Sequence, residues 1–157
     1  MKTVVFTGGG TGGHIYPGLA IIEELKLLDK DLKFVWIGSN NGRDKTIVEK
    51  SKVVDKFYSI PCGKLRRYVS FKNVIDVFKI IAGVITAFFL LIKLKPAFLF
   101  SKGGFVSVPP CFAAKLLGIT VYTHECDFSP GLATKINKNF ATKILVSYEE
   151  TKKFFSQ

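Results

Sequence analysis

Between a short apolar run at Val4, Val5 and Phe6 and a helical stretch beginning near Pro17 stands Gly8-Gly9-Gly10-Thr11-Gly12-Gly13, followed by His14. A tight strand-to-helix turn uses backbone conformations that other residues avoid, and missing side chains let backbone N–H groups approach an anion. The amino end of the following helix adds about half a positive charge. Such a turn suits a diphosphate and belongs to a strand–loop–helix unit.

The rest of the chain repeats that unit. Short β-rich runs at residues 3–7, 33–38, 56–60, 97–101, 120–123 and 143–146 alternate with longer helical stretches, the pattern of βαβ units around a parallel sheet. The fold class expected is α/β: a Rossmann-like parallel sheet with helices on both faces. The first helix is expected at 17–28, where Leu19, Ile22 and Leu25 share a face. Ser107 before Pro109, and Ser129 before Pro130, read as capped helix starts. At 157 residues and 48% hydrophobic content, with no repeat or linker, residues 1–157 read as one domain.

The formal charge of +11 predicts attraction to an anionic partner. Nucleic acid is not expected, because charge alone speaks for it and no recognition motif is present. Cys62, Cys111 and Cys126 are widely spaced and form no CxxC pair, so neither a disulfide framework nor a metal site is indicated and a reducing compartment fits. The apolar run at the amino terminus is far too short for a signal-peptide core.

Residues 74–92 are the most hydrophobic stretch. Asp76 and Lys79 interrupt it, and the uncharged part, 80–92, makes ~20 Å of helix against the ~30 Å of a bilayer core. A membrane span is therefore not expected. Two readings stand: a helix buried against the sheet for most of its length, and a surface resting on anionic lipid. The second draws on Lys64, Arg66, Arg67, Tyr68, Phe71, Lys72 and Phe78, which mix basic and aromatic side chains.

Gly8, Gly10 and Gly13 formally satisfy a dinucleotide fingerprint, yet the expected second strand ends Gly38-Ser39-Asn40-Asn41, without the acidic residue that binds the ribose. Arg43 leaves an NADP-binding oxidoreductase as an alternative. A Walker-A loop is excluded because no Gly-Lys-Ser/Thr follows. A second turn, Ser101-Lys102-Gly103-Gly104-Phe105, and the cluster His124-Glu125-Cys126-Asp127 stand at the ends of later strands. In an open parallel sheet those ends share one crevice. An inverting sugar transfer needs one base for the acceptor hydroxyl and donors for the departing diphosphate. His14 is the candidate base, since a helix amino terminus disfavours an imidazolium; hydrogen bonding within the loop is its other possible role. Asp127 reads as a second base or a turn residue, and Glu125 as a base or as the group that orients His124.

Gly9-Gly10-Thr11-Gly12-Gly13-His14 with Pro17-Gly18-Leu19-Ala20, then Gly103-Gly104-Phe105-Val106-Ser107, then His124-Glu125 and Pro130-Gly131-Leu132-Ala133 with Lys135 resemble, in order, the MurG family. The resemblance implies the amino-terminal, acceptor-binding half of a GT-B glycosyltransferase needing no metal or other cofactor. Its donor would be UDP-N-acetylglucosamine and its acceptor undecaprenyl-diphosphoryl-N-acetylmuramoyl-pentapeptide, met at the cytoplasmic face of the cell membrane in peptidoglycan synthesis. Thr11, Gly12 and Gly13 would then line the cleft near a diphosphate, His14 would sit near the reacting hydroxyl, Gly103, Gly104 and Phe105 would form the second loop, and His124, Glu125 and Asp127 would complete the rim. Phe105 replaces a tyrosine, and Asp127 an asparagine, of many relatives. The donor-binding domain is expected on a following segment or a partner chain, as in split transferases, with no turnover from these residues alone; a non-catalytic partner subunit is the alternative.

Overall fold

The computed structural model describes residues 1–40, 43–64 and 71–155, with backbone alone at 71–73. Six strands form one sheet: β1 (Lys2–Thr7), β2 (Leu32–Ser39), β3 (Lys56–Ile60), β4 (Phe98–Ser101), β5 (Val121–Glu125) and β6 (Lys143–Val146). Every neighbouring pair is parallel and the order is β3-β2-β1-β4-β5-β6. Parallel strands need crossovers, supplied here by α1 (Gly12–Leu28), α2 (Arg43–Ser51), α3 (Phe71–Leu94), α4 (Val108–Leu116) and α5 (Leu132–Asn137). A final 3-10 helix spans Glu149–Phe154.

Alternation along the strands makes two cores. Val4, Phe6, Phe34, Trp36 and Phe100 point to one face, where Ile15, Leu19 and Ile22 of α1 and Val48 of α2 cover them. Val5, Val35, Ile37, Leu99 and Val121 point to the other, under Ala87 and Leu91 of α3 and Cys111, Ala113 and Ala114 of α4. The order in which strands are added reverses between β1 and β4, so the loops leaving those two parallel strands open a crevice at the carboxyl edge of the sheet.

Three helix starts differ from the sequence expectation. Helix α1 starts at Gly12, five residues before Pro17. Glycines are poor helix formers, but Ile15 is fully buried in the core, and that packing carries the first turn. Helix α5 starts at Leu132, with Gly131 as its amino-terminal cap, and not at Ser129. The Glu125 carboxylate accepts the amides of Asp127 (3.0 Å) and Gly131 (3.2 Å), which holds the intervening residues in a turn. The Ser107 hydroxyl does not cap α4: it donates to the Gly104 carbonyl at 2.8 Å and accepts from Asn137 Nδ2 at 2.8 Å.

Helix α3 overturns the expectation of a mostly buried segment. Its Val74–Leu94 stretch is long and apolar enough to cross a membrane, yet only 22% of its most apolar window is buried in the domain. Asp76, Gly83, Ala87 and Leu91 face inward at helical spacing. Val74, Phe78, Ile81, Ile85, Phe89 and Ile92 face out, Phe78 being 69% and Phe89 65% exposed. One short sheet face cannot cover the whole circumference of a helix that is apolar all round.

Candidate functional site

The two glycine loops meet. Gly104 has φ +76°, and a Cβ placed on it would lie 2.3 Å from the Gly9 carbonyl oxygen and 2.9 Å from His14 Cδ2. Only a residue without a side chain lets the loop after β4 close on the loop after β1. The second loop is held from below by polar groups: Ser101 Oγ accepts the Gly103 amide at 3.2 Å and Asn137 Nδ2 at 3.3 Å.

Beside this junction lies a cavity of about 290 Å³. Gly9, Gly10, Thr11, His14, Gly104 and Phe105 form its loop side, with Glu125 and Asp127 at the end of β5. Gly63 and Lys64 close it from the segment after β3, and Ile80, Val108, Leu132 and Ile136 give it an apolar wall. Gly12, Gly13 and Gly103 belong to the same loops without lining the cavity. The amides of Gly12 and Gly13, in the first turn of α1, have no partner within the helix, and that end of the helix favours negative charge.

His14 stands in this first turn. Its Nδ1 lies 3.1 Å from the Lys102 carbonyl oxygen. A carbonyl only accepts, so Nδ1 carries the hydrogen and Nε2 keeps its lone pair.

Glu125 is 3% exposed, and both its oxygens bind backbone amides. It shapes the rim between β5 and α5; it does not orient His124, because neighbouring strand residues point to opposite faces. Glu125, Cys126 and Asp127 bring their ligand atoms within 4.8 Å of one another. Asp127 is exposed at the cavity edge. His124 is on the far face of β5, tilted against Phe100 with ring centroids 6.5 Å apart. There the nearly fully buried Lys102 donates from Nζ to His124 Nδ1 at 2.5 Å, and His124 Nε2 donates to Ser147 Oγ at 3.1 Å. Burial lowers the pKa of both Lys102 and His124, and the lysine charge lowers the histidine further.

Two residues emerge only from the structure. Lys102, read from the sequence as part of a turn, is a buried cation packed under the first glycine loop, its Cβ within 3.1 Å of where a Gly8 Cβ would stand. Asp44, at the start of α2, is 2% exposed and accepts the amides of Gly10 (3.1 Å) and Ser39 (3.0 Å). The Gly10 amide is thereby occupied by a carboxylate of the chain itself. Neither was marked in the sequence: Lys102 read only as a turn residue, and the partners of Asp44 are up to 34 residues away.

Of the basic and aromatic residues proposed to meet lipid, Lys64 lines the cavity and Phe78 is exposed on α3. Arg66, Arg67 and Tyr68 lie outside the described residues, as do the side chains of Phe71 and Lys72.

Residues 4–146 match the glycosyltransferase family 28 N-terminal domain. The chain is 64% identical over 157 residues to the UDP-N-acetylglucosamine–N-acetylmuramyl-(pentapeptide) pyrophosphoryl-undecaprenol N-acetylglucosamine transferase of Treponema denticola, covering 96% of this chain and 40% of that protein. It is 52% identical to the transferase of the same name from Borreliella afzelii, covering 98% and 42%. The chain thus spans about two fifths of the length of these relatives. Among solved structures, MurG of Acinetobacter baumannii superposes with a TM-score of 0.79 at 24% identity, over 96% of this chain and 43% of that one. A putative UDP-N-acetylglucosamine 2-epimerase from Listeria monocytogenes superposes at 0.70 with 10% identity, over 99% of this chain and 42% of that one, a likeness of fold. With a profile match across nine tenths of its length, two glycine loops joined at the sheet's switch point and this degree of identity to its relatives, the chain belongs to the glycosyltransferase family 28 N-terminal domain family.

Proposed function

We propose that this chain is the acceptor-binding half of an inverting transferase that moves N-acetylglucosamine from UDP-N-acetylglucosamine to a lipid-linked N-acetylmuramoyl-pentapeptide in peptidoglycan synthesis. One observation carries the reading: the amino end of α1, with His14, borders a cavity closed by the second glycine loop and walled in part by Ile80 of α3, the helix whose other side is exposed and apolar. The acceptor diphosphate rests at the helix end. His14 Nε2 takes the proton of the acceptor hydroxyl as its oxygen bonds to the sugar's anomeric carbon; the bond from that carbon to the nucleotide diphosphate breaks, and the nucleotide leaves with the donor-binding half. Asp127 at the rim is the second candidate to share that proton.

In the complete transferase, His14→Ala is expected to lower kcat by about 10²–10⁴-fold with little change in acceptor KM, the loss typical of a missing general base. Unchanged turnover would leave this chain only a binding role. The chain without a donor-binding half is expected to show no turnover.

The outer face of α3, flanked by the exposed Lys79 and Lys93, supports peripheral attachment to the cytoplasmic face of the membrane. Aromatic and aliphatic side chains enter the headgroup boundary while the lysines meet anionic lipid. Sedimentation with anionic liposomes, weakened by salt and abolished by Phe78→Glu with Phe89→Glu, tests this; equal recovery with neutral and anionic vesicles at all salt concentrations would refute the electrostatic part.

A further inference from the structure

We infer that the apolar end of the cavity is a subsite for the isoprenyl unit that directly follows the acceptor's diphosphate, so that the domain recognises the junction of lipid and phosphate and not the phosphate alone. This deepens the proposed function and rests on it. The lining of the cavity is of two kinds: polar groups, from backbone amides, His14, Lys64, Glu125 and Asp127, and an apolar wall of Ile80, Val108, Leu132, Ala133 and Ile136. Branched aliphatic side chains offer hydroxyl and phosphate groups no hydrogen-bond partner, whereas a hydrocarbon gains by burial against them.

The position of Ile80 gives the occupant its direction. At 100° per residue, Ile80 borders the inward arc of α3 formed by Asp76, Gly83 and Ala87, while Val84, Val77 and then the exposed Ile81 follow around the circumference. Apolar surface is therefore continuous from inside the cavity to the outer face of the helix. A volume of about 290 Å³ sits at the lower edge of the ~300–1,000 Å³ usual for ligand sites. It has room for a diphosphate with a short branched hydrocarbon and none for a whole polyprenyl chain. The first unit sits inside and the remaining chain leaves over Val77 and Ile81 toward the bilayer.

Titration of the 157-residue chain with inorganic diphosphate, dimethylallyl diphosphate, geranyl diphosphate and farnesyl diphosphate tests this. Affinity is expected to rise at least about tenfold from inorganic to dimethylallyl diphosphate, the gain from burying a few CH₂ groups, and to level off by geranyl. Leu132→Ser and Ile136→Ser should each remove that gain while leaving the affinity for inorganic diphosphate in place, and Phe89→Ser, outside the cavity, should leave the whole series unchanged. Leu132 is 37% exposed, so its replacement does not threaten the fold, and the ligand series needs no variant at all. Equal affinity for inorganic and prenyl diphosphates would overturn the subsite while sparing the diphosphate site. A steady rise with chain length that Phe89→Ser abolishes would also overturn it, by placing the hydrocarbon on the outer face. No binding of any diphosphate would overturn the acceptor-site reading itself and the subsite with it.

Discussion

Gly104 faces the imidazole of His14 so closely that a Cβ on it would stand 2.9 Å from Cδ2, and the backbone there has φ +76°. Gly104→Ala is therefore expected to cost about 1–3 kcal/mol through the strained backbone, and more through the 2.3 Å approach to the Gly9 carbonyl. Relief of that contact pushes the loops apart and turns His14 away from the Lys102 carbonyl. Urea unfolding should show the loss of stability, and turnover of the complete transferase should fall well beyond what stability explains. A variant of native stability and native turnover would sink the idea that the loops must touch.

Asp44 ties the first glycine loop to the end of β2. Asp44→Ala leaves the Gly10 and Ser39 amides without their acceptor, at a cost of about 2–4 kcal/mol if water does not replace it. Amide hydrogen exchange is the direct readout: Gly10 and Ser39 should exchange faster in the variant while amides in β5 and β6 keep their rates. Uniform acceleration across the sheet would mean a global effect instead of a local clamp.

His124 gives the domain a pH dependence of known sign. Its pKa is lowered by burial and by Lys102, so the folded state holds the ring neutral where an unfolded chain begins to protonate it. Stability from this source is fully present above the ordinary value of 6.5 and is lost as pH falls from there through the lowered folded value. Thermal melts between pH 8 and pH 5 should show a decline that His124→Gln reduces. An identical decline in that variant would assign the effect elsewhere.

Burial pushes the thiols of Cys62 and Cys111 up to about 12. Since the thiolate is the reactive species, iodoacetamide at pH 8 should leave both unmodified in the folded chain and modify them in denaturant. Cys111 is fully buried in the core under α4, so its alkylation under native conditions would show that this packing opens readily. Mass spectrometry of tryptic peptides reads both sites at once.

The fold was largely legible from the amino-acid order, because strands covered on both sides read as short apolar runs and their crossovers as longer helical ones. Strands at 56–60 and 143–146 agree with β3 and β6 residue for residue, and the others within two residues at either end. Helix starts were read less well. Gly12 begins α1 on the strength of Ile15 packing into the core, and Gly131 precedes α5 because Glu125 holds the turn before it; both are contacts between elements, not local preferences.

For the site, the chain itself placed its chemistry-bearing groups at the carboxyl ends of β1, β4 and β5, and glycine at 8, 10, 103 and 104 already demanded backbone angles closed to other residues. Tertiary structure decided how those groups are shared out. Alternation along β5 sends Glu125 to the cavity and His124 to Lys102 on the opposite face. Folding also brings Asp44 onto a loop 34 residues distant, and it leaves one side of α3 without cover. Local rules reach a turn or a single strand; which side chain ends beside which partner depends on how elements far apart in the chain pack, and no window of sequence contains that.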